Sequence, residues 1–251
     1  MAPDKVFLTA EWRNLAMLNY EVDANLLLPF VPAGTELDRW SGKIFVSLVG
    51  FRFLKTRVFR LAIPFHSNFD EVNLRFYVRR REGDEVRRGV VFIKEIVPRR
   101  AIAWVAHTFY NENYVALPMA HEIRTVGESG LAVAYRWGTA IGWNTIRLEA
   151  QGKAELATEG SEEQFITEHY WGYAAQPDGG CVEYRVTHPA WKVWSARSAD
   201  FEGDAEGLYG KELAAVLSGQ PSSAFLAGGS AVKVMRRRRV RPLGLKPSHS
   251  R

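Results

Sequence analysis

The groups in this sequence best suited to chemistry sit together in one stretch, NFDEVNLRFYV, residues 68–78. Side chains alternate along a β-strand, so Glu71, Asn73, Arg75 and Tyr77 share one face and Val72, Leu74, Phe76 and Val78 the other. The second face is core. On the first, a guanidinium can pair a ligand carboxylate or enolate through two parallel hydrogen bonds, and a carboxylate can orient that ligand or move a proton. Two readings are open. The row lines a closed cavity, where charged groups need partners. Or it faces water, where cross-strand pairs contribute roughly 0.2–1 kcal/mol each and only hold register.

The strand returns. Gly83-Asp84 marks a hairpin tip, and RRGVVFIKEIV (87–97) comes back beside it. With that tip, paired position numbers add to about 167. Tyr77 then faces Val90, Arg75 faces Phe92, Asn73 faces Lys94 and Glu71 faces Ile96. The companion face sets Val78, Phe76, Leu74 and Val72 against Gly89, Val91, Ile93 and Glu95. The candidate ligand-binding set is therefore Glu71, Asn73, Arg75, Tyr77 and Lys94, with Glu71 and Lys94 the catalytic candidates. Their apolar neighbours Phe92 and Ile96 suit the wall of a small cavity.

Other chemistries lack their residues. Cys181 is the sole cysteine, so neither an internal disulfide nor a cysteine-based zinc site is available. The six histidines show no metal-ligand spacing, and no metal is expected. There is no G-x-S-x-G elbow, P-loop or dinucleotide fingerprint, and no cofactor is implied. TEHYWGY and THPAWKVW mix His with Trp and Tyr, which serves either an apolar pocket or plain core packing.

The chain has 251 residues, 47% of them hydrophobic, enough for a full core. The net charge of +5 lies at one end: residues 233–251 hold eight of the 33 bases and no acid, leaving 25 bases against 28 acids elsewhere. That basic run reads as a solvated tail, and no nucleic-acid motif accompanies it. With no long apolar run and no leader pattern, a soluble cytoplasmic protein with no membrane partner is expected. A homo-oligomer stays open.

The elements that must position these residues are mostly strands. A first strand is expected at 13–22, and Asp23 caps a short helix stopped by Pro29. RWSGKIFVSLVGFRFL reads as a Ser41-Gly42 turn feeding a long strand, 43–54. Pro98 opens an amphipathic helix with Ile102, Val105 and Phe109 on one stripe. Strands follow near 114–126, 131–137 and 143–153. Ser161 and Gln164 fit a capping box, and HYWGYAA (169–175) with CVEYRVTH (181–188) a hairpin around Gln176–Gly180. AWKVWSA is a strand, 204–217 a helix, and 231–235 a last strand. The fold class expected is mainly β (α+β), an antiparallel closed or barrel-like sheet with a few short helices. Residues 1–240 form a single domain and 241–251 a basic tail.

Several stretches together, among them LTAEWRNLAMLNYEVDANLLLPFVPAGTELDRW, FVSLVGFRF, NFDEVNLRFYV, YNENYVALPM, FITEHYWGY, EYRVTHPAWKVW and PSSAFLAGGS, resemble a bacterial family, domain of unknown function 2071. The resemblance spans about residues 7–240 and implies an acetoacetate decarboxylase-like fold with an internal cavity, which favours the cavity reading. Those decarboxylases use a lysine whose depressed pKa lets it form a Schiff base with a keto acid. Their acid lies in a Y-x-E-V strand, where NFDEV places Glu71. Their lysine follows an F-P turn, where YVALPMAHE places Met119, and a thioether cannot form an imine. The resemblance thus implies the scaffold without that nucleophile, with Lys94 either a displaced nucleophile or an ion-pair partner for Glu71. The function expected is binding or turnover of a small keto acid or related carboxylate. The alternative is a non-catalytic binding or oligomeric scaffold.

Overall fold

The computed structural model describes residues 5–64, 66–99 and 113–240. The expected helix after Pro98 and the tail at 241–251 lie outside these residues. Sixteen strands are described: β1 (Val6–Glu21), β2 (Glu36–Leu37), β3 (Phe45–Val58), β4 (Leu61–Ala62), β5 (Phe69–Glu82), β6 (Glu85–Val97), β7 (Tyr114–Ala116), β8 (Met119–Val126), β9 (Gly130–Thr139), β10 (Gly142–Ala150), β11 (Glu155–Leu156), β12 (Trp171–Ala175), β13 (Cys181–Thr187), β14 (Lys192–Glu202), β15 (Ser223–Met235) and β16 (Arg238–Val240). The helices are α1 (Ala24–Leu27), α2 (Glu162–Thr167), α3 (Glu206–Tyr209) and α4 (Lys211–Leu217), with a 3-10 turn at Leu28–Phe30.

Strand pairing runs β13-β12-β6-β5-β3-β1-β15, and β15 pairs again with β13 at Val186↔Val234, so the hydrogen bonding comes back on itself like a ring. All but one of these pairings are antiparallel. β12 joins β6 in parallel. A second layer, β8-β9-β10-β14, continues from β15 through β14. No helix of the described residues is long and apolar enough to cross a membrane.

The ring strands bury both faces, which explains why FVSLVGFRF runs almost without a polar residue. Inward, Met17, Val49, Phe51, Phe53, Tyr77, Val90 and Phe225 form one apolar cluster. Outward, Leu18, Leu48, Val72, Leu74, Phe76 and Val91 pack with Tyr135, Trp137, Ile146 and Leu148 of the second layer and Leu213 and Leu217 of α4. The layers are locked where Tyr135 crosses Gly50. A Cβ there would lie 2.7 Å from its ring. The Tyr135 hydroxyl donates to the Asn14 carbonyl at 2.8 Å, at a bulge of β1 where Asn14 has φ 55°.

Local signals behave as their chemistry requires. Asp23 accepts from the Asn25 amide at 2.7 Å, and Ser41-Gly42 makes its turn with both φ positive. Ser161 accepts from the Gln164 amide, while the Gln164 side chain reaches back to Gly160 rather than to Ser161. The expected helix at 204–217 is two, because Gly210 at φ 81° ends α3 and begins α4. The expected short strands at 13–22 and 231–235 extend to sixteen and thirteen residues, since each carries both an inner and an outer apolar face.

Candidate ligand-binding site

The β5–β6 hairpin sets the site. From Glu82↔Glu85 to Arg75↔Phe92 the pairing follows the expected register. Between Arg75 and Leu74 one extra residue, Ile93, is inserted in β6, and the pairs become Leu74↔Lys94, Asn73↔Glu95 and Val72↔Ile96. Beyond the bulge, every side chain of β6 is on the other face from the one expected. Lys94 therefore stands with Leu74 rather than Asn73, and Glu95 takes the place expected for it. Lys94 is half-buried, and that burial lowers its pKa. A warning was legible: the uninterrupted register put the Glu95 carboxylate on the apolar face opposite Val72.

The inner face surrounds a cavity of about 180 Å³. A dry cavity of about 150 Å³ accepts a benzene, so this one suits a small metabolite with an apolar body. Phe51, Phe53, Phe69, Phe92, Trp12 and Trp191 are among its aromatic wall, and its polar residues include Glu71, Asn73, Arg75, Glu95, Tyr114, His169 and His188. Among the sequence-derived candidates, Glu71, Asn73 and Arg75 line it and Lys94 does not. Tyr77 sits behind the wall, its hydroxyl 2.7 Å from Ser47 Oγ and its ring beside Phe165. No lysine lines the cavity among the described residues. Met119 packs against the outer cluster instead.

Glu71 is 3% exposed and accepts from Asn73 Nδ2 at 3.0 Å and from the Tyr114 hydroxyl at 3.4 Å. Among the described residues it makes no ion pair with Arg75 or with Lys94, the partner expected for it. Arg75 is 8% exposed. Its Nε is enclosed without a hydrogen-bond partner, and no carboxylate of the described residues lies within 4 Å of it. Its guanidinium carbon lies 5.8 Å from the centre of the Tyr77 ring.

Two histidines from the aromatic stretches complete the polar part. His169 Nε2 meets Asp38 Oδ2 at 3.2 Å, and Arg88 Nε donates to the same oxygen at 2.7 Å. Burial pushes His169 down to about 4 against the pull of Asp38. Burial alone would raise Asp38, but the bonds from His169 and Arg88 outweigh it and hold the acid near 2. The pair is thus a neutral imidazole donating to a carboxylate. His188 stacks on Trp191 at 4.1 Å and contacts the Pro189 carbonyl through Nδ1 at 2.9 Å. Burial lowers its pKa, and the Arg75 charge adds to that.

A second charged cluster lies on the same hairpin. Arg87 donates to Glu183 at 3.0 Å and Glu85 at 2.9 Å and lies 4.6 Å above Trp171. Arg238 also donates to Glu183, which is 2% exposed. Nothing in the described residues gathers three or more metal-ligating side chains.

The comparisons agree with this architecture. The chain matches 95% of its length to the acetoacetate decarboxylase of Legionella pneumophila, covering 89% of that chain at a TM-score of 0.67 and 12% identity. The enduracididine biosynthesis enzyme MppR complexed with pyruvate gives a TM-score of 0.66 at 14% identity, with 96% and 93% covered. An acetoacetate decarboxylase-like enzyme from Sphingomonas wittichii RW1 gives 0.61 at 14%, with 96% and 95% covered. At such identities the likeness is one of fold. The uncharacterized protein YqjF of Bacillus subtilis (strain 168) is 28% identical over 122 residues, so the chain spans about half the length of that relative, 49%, with 48% of its own. The family model described as an uncharacterized conserved protein, domain of unknown function 2071, matches residues 9–231, and the chain belongs to that family.

Proposed function

We propose that the cavity binds a small carboxylate with an apolar body, of the keto acid class, and that Arg75 is its anchor. One observation carries this reading: a guanidinium in an aromatic-walled cavity with no carboxylate of the described residues within 4 Å of it. Such a charge is costly to bury alone, and a ligand carboxylate is the partner whose geometry matches its donors. The fold neighbour MppR has been seen with pyruvate, which supports the class. Among the described residues no lysine lines the cavity, which argues against imine chemistry at this site.

A thermal-shift series with acetate, pyruvate and 4-methyl-2-oxopentanoate tests it. A ligand at about a hundred times its Kd stabilises by about 2.7 kcal/mol, which for a chain of this size raises the melting temperature by about 5–10 °C. The branched keto acid is expected to give the largest rise. Arg75→Met is expected to abolish it. Equal response of wild type and Arg75→Met would remove Arg75 as the anchor.

A further inference from the structure

We propose that His188 is the proton-transfer base of this cavity, acting on the carbon next to the keto group of a 2-oxo acid whose carboxylate Arg75 holds. The proposal rests on the carboxylate reading above and adds a reaction to it.

The argument starts from the tautomer. A carbonyl oxygen can only accept, so the 2.9 Å contact to Pro189 makes Nδ1 the protonated nitrogen. Nε2 then carries the lone pair, and it makes no hydrogen bond to any described residue. Stacking on Trp191, with Tyr170 at 4.8 Å, fixes the ring plane. Burial and the nearby Arg75 charge keep the ring neutral at pH 7, so the base is in its working form before a ligand arrives. A bound carboxylate would offset Arg75 and make His188 more basic at the moment it is needed. His188 is also only half-buried, which lets it exchange its proton with water.

Of the other titratable groups at the cavity, two are less suited. Glu71 already accepts from Asn73 and Tyr114. The His169 side chain is 1% exposed, and its ring is held between Tyr77 and Phe165.

The step is a balanced enolisation. Nε2 takes a proton from C3 of the 2-oxo acid. The C–H pair becomes the C2=C3 bond, and the carbonyl π pair moves to the keto oxygen. One terminal nitrogen of Arg75 holds the carboxylate and the other faces the keto oxygen, so the enolate charge develops beside a cation. Reversal returns a proton to C3. In D2O the imidazolium exchanges with solvent, and the proton returned is a deuteron.

The experiment follows the C3 proton signals of 4-methyl-2-oxopentanoate by NMR in D2O, with protein-free buffer as baseline and thermal shift measured on the same samples. Wild type should accelerate exchange. His188→Asn should lose on the order of 10²-fold of that rate, a typical share for a positioned base, and keep the thermal shift. Lys94→Met should match wild type. If His188→Asn is poorly folded, His188→Ala with imidazole in the buffer should recover exchange. A wild-type thermal shift without exchange above baseline overturns His188 as base and leaves the carboxylate reading standing. Absence of any wild-type shift overturns both. Exchange lost in Glu71→Gln but intact in His188→Asn moves the base to Glu71. An adduct trapped by borohydride would show an amine at work and sink the proposal.

Discussion

Arg75 and Arg87 lie twelve residues apart on one hairpin, and both are 8% exposed. Their surroundings differ entirely. Arg87 is tied to Glu183 and Glu85 and covered by Trp171. Arg75 faces phenyl rings and a cavity, and no carboxylate of the described residues lies within 4 Å of it. A buried cation neutralised by its own chain holds structure together. One with no carboxylate of the described residues within 4 Å carries a cost that an external anion can offset. Burial alone does not distinguish the two roles; the partner does.

Breaking the partnered side should have the largest effect. Glu183→Ala leaves Arg80 and Arg87, both buried, without the buried acid they share and with only the exposed Glu82 in common. The expected loss is about 3–5 kcal/mol, read as a shift of the denaturation midpoint at unchanged slope. A loss under about 1 kcal/mol would mean that Glu85 and Glu82 carry the cluster and that the contrast with Arg75 is overdrawn.

Next comes acidity. The folded-state pKa of His169 is depressed to about 4, so the unfolded chain binds the proton first. Stability contributed by the neutral ring is complete above about 6.5 and is lost as pH falls toward 4, on the order of 3 kcal/mol in all. Asp38, held near 2, adds its own loss only between about 4 and 2. Melting temperatures measured from pH 7 to 4 should therefore fall faster for wild type than for His169→Gln. Parallel curves would remove His169 as a buried neutral base.

Arg75→Met sharpens the comparison from the other side. Without ligand it should cost nothing and raise stability by about 1–2 kcal/mol, because an uncompensated charge is replaced by an apolar chain of similar length. Glu71 is held by Asn73 and Tyr114. A loss of 3 kcal/mol or more would show that Arg75 is structurally paired after all. The smallest effect is expected at Lys94, where Lys94→Met should change stability by under about 1 kcal/mol and leave ligand response untouched. A lost response would return Lys94 to the cavity.

The strands of the fold were legible because alternation and turn chemistry are local. Val72 to Val78, Gly83-Asp84 and Ser41-Gly42 each carry their own reason. The polar row was legible for the same cause, and three of its members reach the cavity. What escaped was the inserted residue at Ile93. A bulge depends on how a strand is pulled by its neighbours on both sides, and only a misplaced charge, Glu95, betrayed it. The pairing of Asp38 with His169 and of Arg87 with Glu183 joins residues 131 and 96 positions apart, where no spacing rule reaches. His188 stood in a stretch marked for its aromatics, but its tautomer follows from a carbonyl that only the folded backbone delivers.

The bulge has an evolutionary consequence. Parked at Ile93, it turns Glu95 inward and Lys94 away. Slid two residues along, to Glu95, it would set Lys94 opposite Asn73 and leave the pairing from Val72 onward as it is. The same letters would then present an amine beside Glu71 and Arg75 in place of a second acid. In such a ring the choice between an acidic and an amine-bearing chamber can be changed by relocating one surplus residue, with no substitution among the groups that line it.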